Sequence, residues 1–275
     1  DGIFYDLNGV AGLNNNRSVW YQRLYGTRAY NGTPLKGALQ AAGTYFSSSD
    51  ASGAYGPQAG TAQFACRQNF TILTTDGYWN SNDRYASVNE QDNAAGTEIT
   101  SPTGGSFTYA PTAPYASADA NTLADVAMRY WKTDLRTDLE NIVPTSSANP
   151  AYWQHMATFG ISIGLKGAIN PNDPLPGMPG GAAGWPNPND AEDVHRIDDL
   201  YHASVNGRGK FLAASNPEEF TTGLRSALAA IIERTGSFSN VAANSTRIDA
   251  GTQLFQASYV SGVWTGELKA YAVST

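Results

Sequence analysis

The stretch Asn69-Phe70-Thr71-Ile72-Leu73-Thr74-Thr75-Asp76-Gly77 decides how the chain folds. A short apolar run that stops abruptly at Asp-Gly is the pattern of a strand buried in a parallel sheet, delivering polar residues at its carboxyl end. Upstream, Gly32-Thr33-Pro34-Leu35-Lys36-Gly37-Ala38-Leu39 reads as a helix start. Thr33 is the expected N-cap and Pro34 the first helical residue, with apolar residues at helical spacing to about Phe46. Downstream, helical pattern returns at Asn121-Thr122-Leu123-Ala124-Asp125-Val126-Ala127, with Leu123, Val126, Tyr130 and Leu135 near one face. His155 through Leu165 reads as a second inner strand. Asn216-Pro217-Glu218-Glu219 opens a further helix, capped by Asn and carrying acids in the first turn where the macrodipole favours them. Helices alternating with inner strands imply an α/β layered domain, expected to occupy residues 1–235.

The connections differ in kind. Residues 78–120 are rich in Asn, Gly, Ser, Pro and Tyr without periodicity, too long for an ordinary connection, and read as a surface insertion. Residues 170–190 are rich in proline and glycine and form a loop. After Gly236 the pattern changes: Gln253 to Tyr259 and Val263 to Val273 alternate on either side of Ser261-Gly262, as in a β-hairpin. Residues 236–275 are therefore expected to be a linker and the first strands of a second, all-β domain. Two strands do not fold alone, so the chain reads as an interior piece of a longer protein.

Composition narrows the function classes. Only 15% of residues are charged, against about 25% in average globular chains, and Lys occurs five times. A net charge of −7 argues against nucleic acid, because neutralising phosphates takes clustered Lys and Arg. No run approaches the roughly 18 apolar residues of a membrane helix. The palette is that of an exported surface protein. Cys66 is the only cysteine, which excludes an internal disulfide and leaves two readings open, a buried free thiol or a partner outside this chain.

The order of motifs is similar to that of the PilY/PilC family of type IV pilus tip adhesins. The resemblance rests on Asn31-Gly32-Thr33-Pro34-Leu35, on Cys66-Arg67-Gln68-Asn69-Phe70 with Leu73-Thr74-Thr75-Asp76-Gly77, and on Asn121-Thr122-Leu123-Ala124-Asp125-Val126-Ala127. Trp153-Gln154-His155-Met156 and the run Asp198-Asp199-Leu200-Tyr201-His202-Ala203-Ser204-Val205-Asn206-Gly207-Arg208-Gly209 continue it. Val263-Trp264-Thr265-Gly266-Glu267-Leu268-Lys269-Ala270-Tyr271 resembles the opening strands of the family's C-terminal β-propeller. The resemblance implies a von Willebrand factor A-like, Rossmann-type domain followed by that propeller. It implies Thr33 and Asp76 as ligands of an adhesion-type Mg²⁺ or other divalent site, and Ca²⁺ in the propeller. It also implies minor pilins, pilus tip components and a host or abiotic surface as partners, and a location outside the cell.

The departures matter as much. In A domains a first strand ends in Asp-x-Ser-x-Ser, and no such motif ends an apolar strand here. The 32 residues before Thr33 are too few for the missing strands, so the domain is expected to lack its first strands and the metal site three of its ligands. Asp50-Ala51-Ser52-Gly53-Ala54 imitates the motif but follows a helix in a polar stretch. Asp125 is expected to bond a neighbouring loop, and His155 to be a structural hydrogen-bonding residue. Asp198 and Asp199, adjacent in sequence, make a poor acid–base pair. His195 and His202 sit seven apart without an evident third zinc ligand. The six tryptophans read chiefly as core or loop anchors. No Gly-x-Ser-x-Gly elbow, Walker loop or dinucleotide fingerprint is present. The expectation is a non-catalytic binding module for adhesion and pilus biogenesis. The alternatives are an assembly or minor-pilin-binding factor without a host ligand and, more remotely, a secreted hydrolase built on paired carboxylates.

Overall fold

The structure is a computed structural model that describes residues 16–28, 32–56, 62–80, 86–235, 238–243, 253–260 and 265–272. The elements, in chain order, are α1 (Asn16–Gly26), α2 (Leu35–Phe46), β1 (Asn69–Thr75), β2 (Ile99–Thr100), β3 (Ser106–Phe107) and α3 (Leu123–Lys132). Then follow β4 (Met156–Ile163), α4 (His195–Asn206), β5 (Arg208–Ala214), α5 (Pro217–Thr235), β6 (Phe238–Ala243), β7 (Gln253–Val260) and β8 (Thr265–Ala272).

The decisive stretch is a parallel strand. β1 pairs with β4 from Asn69↔Met156 to Thr75↔Ser162, and β4 pairs with β5 to give the order β1-β4-β5. β4 carries the sequence MATFGISI and is buried on both faces, which explains why it lacks the polar alternation of a half-exposed strand. On one face Leu73 and Met156 pack with Leu35 and Leu39 of α2, Leu123 and Val126 of α3, and Leu200 of α4. On the other, Phe70, Ile72, Ala157 and Phe159 meet Ala227, Ala230 and Ile231 of α5. Helices on both faces of a parallel sheet make a Rossmann-like layered arrangement. Among the described residues β4 is central, and β1, which Asp76 follows, lies at an edge.

Several expectations need correction. Thr33 is not a side-chain cap: α2 begins at Leu35, its N-cap position is Pro34, and no side chain bonds the first turn. The segment 78–120 does not pair with the parallel sheet, but it is no superficial loop. Trp79, Val88, Asp92, Ile99 and Tyr109 are buried, and Ile99, Tyr109 and Phe107 pack with Met128, Trp131, Ala151 and Trp153 in a second core behind α3. Phe107 stacks on Trp153 with ring centres 4.9 Å apart, and Tyr109 donates from its hydroxyl to the Asp92 carbonyl at 2.6 Å. Aromatic burial supplies there the core that periodicity failed to announce. Cys66 is exposed, which removes the buried-thiol reading. The helix α1 and the strands β5 and β6 carry no expectation from sequence; β6 pairs antiparallel with β7, and β7 with β8. Trp20 and Trp264, named among the tryptophans, lie outside the residues whose side chains are described.

Candidate functional site

Two places concentrate chemistry. The first is the carboxyl end of β1. Asp76 follows the last strand residue, Thr75, and is exposed. Four residues later, Asn80 ties this loop to the start of α2: its N–H donates to the Thr33 carbonyl at 2.9 Å, and its side-chain oxygen accepts the Thr33 N–H. Thr75 braces the turn by donating its hydroxyl to the Gly77 carbonyl at 2.7 Å. The loops bearing Thr33 and Asp76 are thus joined at the end of the sheet where α/β folds expose ligand-binding groups. Their donors are a hydroxyl and a carboxylate, of the hard oxygen type that suits Mg²⁺, yet two donors fall well short of its six.

The second place is buried. Glu90 and Asp92 on the loop before β2 and Asp125 on α3 each offer an oxygen within 4.8 Å of the others, so the cluster could hold a metal ion bound through oxygens. Its residues are also heavily committed to the protein. Asp125 completes a capping box with Thr122, and its other oxygen accepts the N–H groups of Gln91 at 2.7 Å and Asp92 at 3.1 Å. Asp92 accepts the Ser117 N–H at 2.8 Å and the Asn206 side-chain amide at 3.1 Å. Lys132 donates to the carbonyls of Gln91 and Ala94 at 2.5 and 2.9 Å, placing an ammonium beside the carboxylates. Burial, aided by the charge of Asp125, pushes Asp92 up to about 8; burial lowers Lys132 against the pull of the acids. A cation here would displace the Asp92 proton and compete with Lys132.

The remaining candidates have structural partners. Asp198 accepts the N–H groups of Ala168 and Ile169 at 3.0 and 2.9 Å, while Asp199 accepts those of Leu123 and Ala124. Asp198 thus faces the loop after β4 and Asp199 the start of α3, and the two form no pair. His155 bonds Asn149 and the Trp153 carbonyl, both at 2.7 Å. His195 pairs with Asp190 at 2.8 Å, whereas His202 is buried, stacks on Trp185 with ring centres 4.2 Å apart, and bonds the Tyr115 carbonyl at 2.6 Å. Although His202 also lies 3.6 Å from Asp92, burial lowers the histidine to about 3 and raises the aspartate. The Nε2–H is donated to the Tyr115 carbonyl, and at 3.6 Å Asp92 lies beyond hydrogen-bond reach. Asp50 sits in a turn after α2 with Ser48 and accepts from it at 3.1 Å, a local bond with no strand end near it in sequence.

Glu90 and Asp92 escaped the sequence reading because they sit in an aperiodic loop and meet Asp125 only through tertiary packing. The sole local signal was two acids spaced i, i+2 beside Asn residues.

No family model and no solved structure matches the chain. It is similar to the type IV pilus biogenesis factor PilY1 of Pseudomonas aeruginosa strain UCBPP-PA14, 30% identical over 302 residues that cover 98% of this chain and 25% of the relative. The PilY1 protein of strain PAK is 34% identical over 278 residues, covering 89% of this chain and 23% of the relative. The chain spans about a quarter of the length of the curated relatives it matches. At 30% identity over 98% of this chain, the similarity covers nearly its whole length, and on that ground the chain belongs to the family of PilY1-type type IV pilus biogenesis factors.

Proposed function

We propose that this chain is a binding module of a type IV pilus factor, acting outside the cell at the pilus tip. In this reading it contacts minor pilins and a host or abiotic surface, and supports pilus assembly, the balance of retraction and attachment. The observation that carries it is the similarity to pilus biogenesis factors along nearly the whole chain. Among the described residues no helix is long and apolar enough to cross a membrane. The reading is of binding rather than catalysis, and it is supported by Asp125, Asp198 and Asp199, which spend their oxygens on backbone N–H groups.

The α/β part, residues 1–235, is read as von Willebrand factor A-like and residues 236–275 as the opening of a β-propeller. Thr33 and Asp76 would then hold Mg²⁺ or a similar cation together with oxygen ligands from elsewhere in the longer protein. The ion would supply an open coordination position for an acidic group on the partner. The test replaces the matching segment of Pseudomonas PilY1 with this chain in a strain lacking its own copy, and counts surface pili and attached cells. Restoration of both supports the reading, and loss of attachment alone on Asp76→Ala assigns adhesion to the metal site. If Asp76→Ala leaves attachment unchanged while piliation is restored, the chain is an assembly factor without that ligand. If deleting the segment leaves piliation and attachment intact, the proposal fails.

A further inference from the structure

Among the described residues β5 is paired with a strand on one side only, that of β4. Ala214 pairs with Ile163, and its carbonyl accepts the Gly164 N–H at 2.7 Å. In a parallel ladder alternate residues face the same neighbour, so Leu212 and Ala214 turn their N–H and C=O groups toward β4. Phe211 and Ala213 turn theirs outward. Beside them lies a cleft of about 490 Å³, lined on one wall by Phe211, Leu212 and Ala213 and on the other by the loop from Lys166 to Asn172. A strand edge facing a gap is a template for another strand.

The far wall is fixed in place. Asp198, buried on α4, accepts the N–H groups of Ala168 and Ile169. A Cβ on Gly167 would sit 1.9 Å from the Asp198 carboxylate, so only glycine permits that approach. Phe211 is held by stacking on Tyr201, with ring centres 4.9 Å apart. The slot is therefore preorganised, and a ligand would spend little on ordering it.

Charge indicates the occupant. The chain carries −7 overall and five lysines. Lys36 and Lys132 are buried; of the three exposed lysines Lys269 lies on β8, while Lys166 lines the cleft and Lys210 is on β5 itself. Lys166 also feels Glu219 at the start of α5. Exposed lysine discourages self-pairing of an edge and favours an acidic guest.

We propose that the outer edge of β5 and its cleft are a docking slot in which an extended, acidic segment of a partner protein adds to the sheet as a further strand. The inference stands on the edge and the cleft, independently of the metal site. The probe is a labelled octapeptide alternating valine with aspartate and threonine, titrated into the 275-residue chain and followed by fluorescence anisotropy. Saturable binding is expected, with loss of at least roughly tenfold in affinity when the peptide backbone is N-methylated. Lysine in place of the peptide's aspartates should weaken it roughly three- to tenfold, as should K166E with K210E. Ala213→Pro removes only an outward N–H, a change edge strands tolerate, and should weaken binding about tenfold. Circular dichroism checks that this variant folds; if it does not, the N-methylated peptide still decides. Absence of saturable binding, equal affinity for the N-methylated peptide, or indifference to Ala213→Pro in a folded variant overturns the proposal. Concentration-dependent dimerisation abolished by Ala213→Pro would assign the edge to a second copy of the chain and overturn it equally.

Discussion

Asp199 on α4 caps α3: its carboxylate accepts the Leu123 N–H at 2.8 Å and, through its other oxygen, the Ala124 N–H at 3.0 Å. The first four N–H groups of a helix have no partner within it. Here the other two are taken by the reciprocal bonds of the capping box: the Thr122 hydroxyl accepts the Asp125 N–H at 3.0 Å, and the Asp125 carboxylate accepts the Thr122 N–H at 2.9 Å. Every donor at this buried end is satisfied, and the carboxylate lies at the positive end of the helix dipole. The bond also fastens α3 to α4.

Asp199→Ala leaves two buried donors without partners, so it should lower the unfolding free energy by roughly 2–4 kcal/mol. Asp199→Asn keeps one acceptor and should lose about half of that. Urea denaturation of both variants checks the order; equal midpoints for wild type and Asp199→Ala would refute the capping role.

The same buried acids set a pH dependence. Burial pushes Asp199 up to about 7 and, with the charge of Asp125, Asp92 up to about 8. The folded state therefore keeps protons that the unfolded chain releases near pH 4. By linkage, these acids make stability fall as pH rises from about 4 to about 8, and level off above. His202 acts oppositely: burial lowers it to about 3, so the unfolded chain gains a proton first as pH falls below about 6.5. Two acids outweigh one histidine between these limits. The urea midpoint should be higher at pH 5 than at pH 8, and Asp92→Asn, a stand-in for the protonated acid, should flatten that slope. A midpoint that rises from pH 5 to pH 8 would contradict the assignment.

How far the fold could be read from residues alone follows the same physics. β1 and β4 were legible because strands buried on both faces are continuous apolar runs, and α3 because Leu123, Val126 and Tyr130 recur at helical spacing. α5 announced itself through Asn216, Pro217 and two acids. β5 was not legible: Arg208-Gly209-Lys210 opens it with a charge, a glycine and another charge, and Arg208 adopts φ 58°. That backbone is held by tertiary contacts, since the guanidinium lies 3.6 Å from the ring centres of both Tyr115 and Trp131. The aperiodic segment 78–120 stayed opaque for a related reason, because Phe107 and Tyr109 gain their burial only through tertiary packing against Trp131 and Trp153. At the sites, Asp76 was legible as a strand end, whereas Glu90 and Asp92 gain meaning only beside Asp125.

At Gly43 α2 packs directly against Tyr130 of α3. A Cβ there would lie 2.4 Å from the Tyr130 ring. On helix propensity alone, Gly43→Ala should stabilise by about 1 kcal/mol; overpacking against a buried ring should instead cost about 1–3 kcal/mol. The sign of the change is the test. A raised melting temperature for Gly43→Ala would mean that the two helices are not in contact at this position.

Divalent cations provide the last expectation. Thr33 and Asp76 offer one hydroxyl and one carboxylate, and Mg²⁺ gives up its water reluctantly unless nearly its whole octahedron is supplied. Calorimetric titration of this chain with Mg²⁺ and Mn²⁺ should therefore show weak binding, millimolar or poorer in order of magnitude. The buried carboxylates compete on different terms: an ion at Glu90, Asp92 and Asp125 must displace the proton that burial keeps on Asp92 up to about pH 8. Its binding should strengthen as pH rises toward 9, release protons into the buffer, and vanish on Asp92→Asn. Binding at the end of β1 should be insensitive to that substitution and be lost on Asp76→Ala. In the longer protein Asp76→Ala should abolish tight binding, since the same carboxylate would then complete a fuller oxygen shell. Micromolar affinity in this chain that depends on Asp76, or full affinity in the longer protein without it, would overturn the assignment of Thr33 and Asp76.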